Sequence, residues 1–113
     1  NITGALYGKS LNAAGAAKAA LLVWSRAQAF ELAPAGITVN CIAPGRIDSV
    51  QIREKLHPTP ESKAAYIRDN IPMGRFGEPK DMGNLVAFLA SPLADYISGA
   101  HIPVDGGAVR ISV

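Results

Sequence analysis

Lys18 is the residue of this 113-residue chain whose setting bears most directly on chemistry. It stands on an alanine-rich segment, Asn12 to Ala33, and a helix sets residues four apart on one face. An ammonium beside a phenol lowers the phenol's pKa and readies it to exchange a proton with a carbonyl or alcohol. Position 14 is alanine, which neither donates nor accepts a proton. Tyr7 is the one phenol ahead of Lys18 in the chain, with surface packing as the alternative to a role as an acid. Downstream, Pro44-Gly45 turns the chain out of an apolar run, and Ile47 and the hydroxyl of Ser49 follow it; glycine allows backbone conformations barred to other residues. Arg46 and Arg53 flank that turn, either as solvated arginines or as contacts for a phosphate. His57 and His101 have no Cys, Asp or second His at ligand spacing, so no metal site is expected. Cys41, the single cysteine, rules out an internal disulfide and reads as a small buried hydrophobe in an apolar strand. Trp24 reads as packing or helix-interface surface.

The elements that must position these residues follow from periodicity and breakers. Asn12 is a suitable cap for the first helix, on which Ala16, Ala20, Val23, Ala27 and Phe30 recur at alternating spacings of four and three, giving one apolar stripe. Pro34 and Gly36 stop that helix. Ile37 to Ile42 has the β-branched character of a strand buried on both faces, as in a parallel sheet covered by helices. Ser49 to Lys55 and Glu61 to Asp69 are short helices divided by Leu56-His57-Pro58-Thr59-Pro60. Glu78-Pro79 opens a further helix whose face is marked by Met82, Leu85, Val86 and Leu89, and Ile102 to Val104 forms a last short strand.

Composition bounds the classes of function. A hydrophobic content of 49% with 18% charged residues is that of a soluble globular chain of one domain. A net charge of +2, from scattered basic residues, argues against a nucleic-acid or anionic-membrane partner. No leader pattern opens the chain and no apolar run approaches the ~20 residues needed to cross a bilayer. A reducing, cytoplasmic compartment is the expectation.

The order of these features, with Lys18 on its helix, then Gly36 to Ile47, Arg75-Phe76-Gly77-Glu78-Pro79, and Ala90-Ser91-Pro92-Leu93 through Ser98-Gly99 to Val104-Asp105-Gly106-Gly107, resembles the short-chain dehydrogenase/reductase family from its catalytic helix onward. The resemblance covers essentially the whole chain. It implies an α/β fold, the C-terminal portion of a Rossmann-type doubly wound parallel sheet. Residues 1–113 would then be the C-terminal part of a single domain whose Gly-rich, dinucleotide-binding half lies upstream of Asn1. It also implies NADP or NAD as cofactor, with the ribose-reading residue upstream. On this likeness Lys18 hydrogen-bonds the nicotinamide ribose, Pro44-Gly45 is the hinge of the cofactor approach, Ile47 offers backbone groups to the carboxamide, and Ser49 contacts the amide or the phosphates. The family's usual tyrosine falls at Ala14 and its usual serine at Gly4; the adjacent Thr3 projects to the opposite face.

Loss of both groups with retention of the lysine resembles the 2,4-dienoyl-CoA reductase branch, on the segments Ala14-Gly15-Ala16-Ala17-Lys18 and Ala90-Ser91-Pro92-Leu93-Ala94-Asp95-Tyr96. That likeness implies reduction of an enoyl- or dienoyl-CoA or a related conjugated carbonyl, a reaction served by polarising donors more than by a tyrosine acid. Two alternatives stand beside it: a carbonyl or 3-oxoacyl reductase using Tyr7 or an upstream acid, and a catalytically silent subunit. The expected partner is a small-molecule substrate such as an acyl-CoA. A homodimer or homotetramer is expected through the stripe on Asn12 to Ala33 and through the Met82 to Leu89 helix with the last strand.

Overall fold

A computed structural model of the chain describes residues 13–108. Gly4, Tyr7 and Asn12 lie outside the described residues. The chain divides into two compact units, residues 1–43 with 85–102, and residues 44–84 with 103–113.

In the first unit, helix α1 spans Ala13–Leu32 and passes into a short 3-10 turn, Ala33–Ala35. Pro34 sits in that turn, and Gly36 closes it in the left-handed conformation, φ 73°, with its N–H donating to the carbonyl of Ala33. The stop expected at Pro34 and Gly36 is where the helix ends. The face it buries is not the expected one. Gly15, Ser25 and Ala29 are buried, whereas Ala16, Ala20, Val23, Ala27 and Phe30 are exposed. The reason is close approach: a Cβ added at Gly99 would lie 3.5 Å from the Cβ of Ala29, which leaves space only for small side chains on that face. The larger apolar groups are left pointing outward.

Strand β1 is Cys41–Pro44 and strand β2 is His101–Val104; they form a two-stranded sheet. The Cys41 N–H donates to the carbonyl of Ala100 and the Gly45 N–H to that of Val104, both at 2.9 Å. Partners advance by four residues on both sides, so the strands are parallel. The expected strand Ile37 to Ile42 therefore starts late, and its residues are half-buried or exposed rather than enclosed on both faces. Ahead of it one backbone bond, Gly99 N–H to the Val39 carbonyl at 2.7 Å, is joined by side-chain bonds. The Asn40 amide donates to the Ile97 carbonyl at 2.8 Å and accepts from the Ala100 N–H at 3.0 Å, while Val39 N–H donates to Ser98 Oγ at 3.2 Å.

The second unit carries a π-helical turn, Ile52–Leu56, and helix α2, Pro60–Asn70. The turn stands where a short helix was expected over Ser49 to Lys55. Helix α2 has Pro60 in its first turn and a reciprocal cap, Thr59 accepting from the Ser62 N–H and Ser62 accepting from the Thr59 N–H. Ile52, Ile71 and Phe76 form its buried core, with Tyr66 and Ile67 against it. Helix α3, Pro79–Leu89, begins after Glu78 as the sequence predicts. A 3-10 turn, Pro92–Ala94, follows it in the first unit. Among the described residues no helix is long and apolar enough to cross a membrane.

Candidate functional site

The two units present their candidate residues separately. In the first, Lys18 is exposed on α1. Cys41 is half-buried rather than enclosed as a small buried hydrophobe: its thiol donates to Ser25 Oγ at 3.1 Å, and the Ser25 hydroxyl donates to the Leu22 carbonyl at 2.8 Å.

In the second unit, Pro44 ends β1, and Gly45, Ile47 and Ser49 lie on the segment that follows it. A Cβ at Gly45 would lie 2.6 Å from Asp105 Cα, so only glycine lets the two backbones meet there. Ile47 then pairs with Gly77 in an isolated parallel bridge. Gly77 N–H donates to the Arg46 carbonyl at 2.8 Å and Asp48 N–H to the Gly77 carbonyl at 2.7 Å. A parallel bridge that uses the carbonyl before Ile47 and the N–H after it leaves Ile47's own N–H and C=O directed away from Gly77. Those two groups are what a carboxamide requires: one donor and one acceptor on adjacent backbone. Ser49 is exposed, and its oxygen accepts from the Ile52 N–H at 3.3 Å, which leaves its O–H available as a donor.

The arginines flanking the turn differ. Arg53 pairs with Asp48 at 3.3 Å, both groups partly exposed. Arg46 is half-buried with its guanidinium 4.9 Å from the centre of the Tyr66 ring. Tyr66 in turn packs against His57, the rings tilted by 52° at 4.6 Å, and meets Phe76 edge-on at 6.2 Å. His57 is thus part of an aromatic cluster, and among the described residues no group of His, Cys, Asp and Glu is placed to hold a metal.

Beside the turn lies a cavity of about 430 Å³, lined in part by Arg46, Met73, Arg75, Asp81, Val104 and Asp105. Arg75 donates to both oxygens of Asp81, at 2.8 and 3.4 Å, and to the Phe76 carbonyl. The Arg75 guanidinium, with the Glu78 N–H, holds the Asp81 carboxyl at about 2, well below its ordinary 3.8. Residue type and spacing assign no chemical role to Arg75, Asp81 or Asp105. Arg75 and Asp105 stand out in the sequence only as parts of the Arg-Phe-Gly-Glu-Pro and Asp-Gly-Gly segments, and nothing in their spacing shows that they share a cavity.

Residues 2–109 match a family model described as enoyl-(acyl carrier protein) reductase. Among curated relatives, the cyclohexanol dehydrogenase of Rhodococcus sp. (strain TK6) is 44% identical over 82% of this chain and 33% of its own length. The 3-oxoacyl-[acyl-carrier-protein] reductase FabG of Pseudomonas aeruginosa is 39% identical over 95% of this chain and 42% of its own. The chain thus spans well under half the length of these relatives. Among solved structures, the Pseudomonas aeruginosa RhlG/NADP active-site complex has a TM-score of 0.84 at 39% identity, covering 97% of this chain and 44% of that one. An NADPH-bound short chain oxidoreductase of Pseudomonas aeruginosa PAO1, described as containing an atypical catalytic center, has a TM-score of 0.82 at 37% identity over 96% of this chain and 43% of that one. The parallel α/β architecture, the segment after β1 and these matches agree, and the chain belongs to the short-chain dehydrogenase/reductase family, with its Rossmann-type fold.

Proposed function

We propose that the full-length protein is an NAD(P)-dependent oxidoreductase that reduces an enoyl or dienoyl thioester, or a related conjugated carbonyl. The single observation that carries the choice of reaction is Ala14, an aliphatic residue four positions before Lys18 where a proton donor would stand. Support for a conjugated acyl substrate comes also from the description of the matching family. The NADPH-bound relative with an atypical center supports cofactor use by a family member whose catalytic residues depart from the usual set.

The residues present fit a nicotinamide cofactor. Ile47 has a backbone donor and acceptor turned away from the Gly77 bridge, Gly45 keeps the turn close to Asp105, and Ser49 retains an O–H. When bound, such a cofactor supplies hydride. In this reading Ile47 would hold the carboxamide and Ser49 would donate to the amide or a phosphate, while Lys18 would donate to the ribose. Pro44-Gly45 would allow the approach. NADP is the better supported form, because the structural neighbours include complexes with NADP and NADPH. The residues that read the ribose belong to the upstream half proposed for the full-length domain.

A second reading, carbonyl or 3-oxoacyl reduction with Tyr7 as acid, is favoured by the relatives named FabG and cyclohexanol dehydrogenase. The outward stripe of α1, with Val23 71% and Phe30 85% exposed, supports a homo-oligomer built on that helix.

The test compares NADPH and NADH oxidation by the full-length protein on enoyl, dienoyl and 3-oxoacyl thioesters at matched concentrations. Enoyl or dienoyl turnover should lead and Lys18→Ala should abolish it, because the ribose anchor that orients the reacting ring is gone. Lack of the tyrosine should cost simple ketones the acid's share of rate, ~10²–10⁴-fold. Oxoacyl turnover that exceeds the others and collapses in Tyr7→Phe would replace the first reading with the second.

A further inference from the structure

We propose that Tyr66 is a positioning residue for the nicotinamide: its ring, beneath the Arg46 guanidinium, fixes the peptide plane that carries the Ile47 N–H. This rests on the reading of Ile47 as the carboxamide's partner and deepens it, because it names the side chain that holds that partner in place. Every residue involved belongs to the second unit.

The peptide unit is the first support. The Arg46 C=O and the Ile47 N–H belong to one planar trans unit, so they point in opposite directions. The carbonyl accepts from the Gly77 N–H at 2.8 Å, which turns the Ile47 N–H away from Gly77. One hydrogen bond leaves such a plane free to rock, and a second anchor on the same residue stops it. The Arg46 side chain is that anchor. Its guanidinium carbon lies 4.9 Å from the Tyr66 ring centre, and its Nε is buried with no hydrogen-bond partner. The ring therefore holds this part of the side chain where no hydrogen bond does, and the half-buried setting of Arg46 strengthens a cation over a π face.

The fixity of the ring is the second support. Tyr66 stands on α2 and packs against the buried Ile52, Ile71 and Phe76. His57 tilts against one part of it at 4.6 Å and Phe76 meets it edge-on at 6.2 Å, geometries that aromatic pairs favour. Phe76 is followed in the chain by Gly77, so the core that sets the ring also sets the bridge partner of Ile47. That seat is close: a Cβ added at Gly77 would lie 2.6 Å from Ile47 Cδ1. Hydrogen bonds weaken steeply with misalignment, so a rocking Ile47 N–H would hold a carboxamide poorly. A plane tied at its carbonyl and through its side chain presents that N–H in one direction.

The experiment is calorimetric titration of the full-length protein with NADPH and with 2′-phospho-ADP-ribose, which lacks the nicotinamide. Tyr66→Leu should weaken NADPH by roughly 3- to 30-fold, the range for a cation on an aromatic face, and leave 2′-phospho-ADP-ribose unchanged. Tyr66→Phe keeps the ring and should bind NADPH within about 2-fold of the parent. In an Arg46→Met background Tyr66→Leu should add nothing, because the two side chains act as one unit. Unchanged NADPH affinity in Tyr66→Leu, a loss shared equally by both ligands, Tyr66→Phe as weak as Tyr66→Leu, or additive losses in the double variant would each overturn the proposal. Where Tyr66→Leu loses its fold by circular dichroism, Arg46→Met and Arg46→Lys decide. NADPH weakened in Arg46→Met and partly restored in Arg46→Lys supports the clamp; Arg46→Met as tight as the parent, or Arg46→Lys as weak as Arg46→Met, overturns it. A parent protein that binds the two ligands equally removes the carboxamide reading of Ile47 and this inference with it, whereas a discriminating parent with unresponsive variants overturns the inference alone.

Discussion

Gly45→Ala is expected to destabilise the protein through a backbone collision. An ideal Cβ at this position lies 2.6 Å from Asp105 Cα, 2.7 Å from Asp105 Cβ and 3.2 Å from Asp105 O. Carbon atoms rest comfortably at ~3.5–4.0 Å, so about 1 Å has to be recovered by moving main chain, since no flexible side-chain end stands in the way. The Gly45 N–H bond to the Val104 carbonyl, 2.9 Å long, lies on the same contact and would stretch. Overpacking costs ~1–3 kcal/mol and a weakened hydrogen bond adds ~0.5–1.5 kcal/mol, giving roughly 1.5–4.5 kcal/mol. Gly83→Ala is the matched control. Gly83 lies inside α3 with nothing within 4 Å of its added Cβ, so alanine there should stabilise by ~0.5–1 kcal/mol through helix propensity alone. Urea unfolding of the full-length variants reads both, with the slope m checked against the parent so that midpoint shifts report stability. The steric reasoning is refuted by a Gly45→Ala variant as stable as its parent, or by a Gly83→Ala variant destabilised to the same degree.

Three further outcomes are expected. Val23→Glu places a charge on the exposed stripe of α1 and should dissociate the oligomer without lowering helix content, as followed by light scattering and circular dichroism; an unchanged assembly would show that this face is not a seam. Asp81 has a folded pKa lowered to about 2, chiefly by Arg75, so its contribution to stability is whole above its ordinary 3.8 and is lost as pH falls through about 2. Denaturation midpoints measured across about pH 5 to 2 should therefore fall less steeply in Asp81→Asn than in the parent, and parallel curves would remove Asp81 from the acid response. Thr59→Ala removes the hydroxyl that accepts the Ser62 N–H at the start of α2 and should cost ~1 kcal/mol by thermal unfolding, with Thr59→Ser close to the parent.

Signals that act within a few residues are legible in the amino-acid sequence alone. Pro34 and Gly36 end α1 and Glu78-Pro79 starts α3, because a missing N–H or a left-handed φ works on the adjoining backbone whatever surrounds it. The turn that follows Pro44 is legible for the same reason, whereas the missing acid at Ala14 is legible only through the family resemblance. Which face of α1 is covered is not: periodicity identifies a stripe, but the close approach of Gly99 to Ala29 selects the small-residue face and leaves Val23 and Phe30 outside. The start of β1 is likewise not legible: ahead of it the Asn40 side chain bonds to residues 97 and 100 beside a single backbone bond from Gly99 to Val39. The cavity is hidden altogether in the linear chain, because Arg46, Arg75 and Asp105 become neighbours only when parallel pairing brings Gly45 against Asp105. Local chemistry is carried by sequence neighbours, but a binding wall is a property of residues that meet only after the chain has folded.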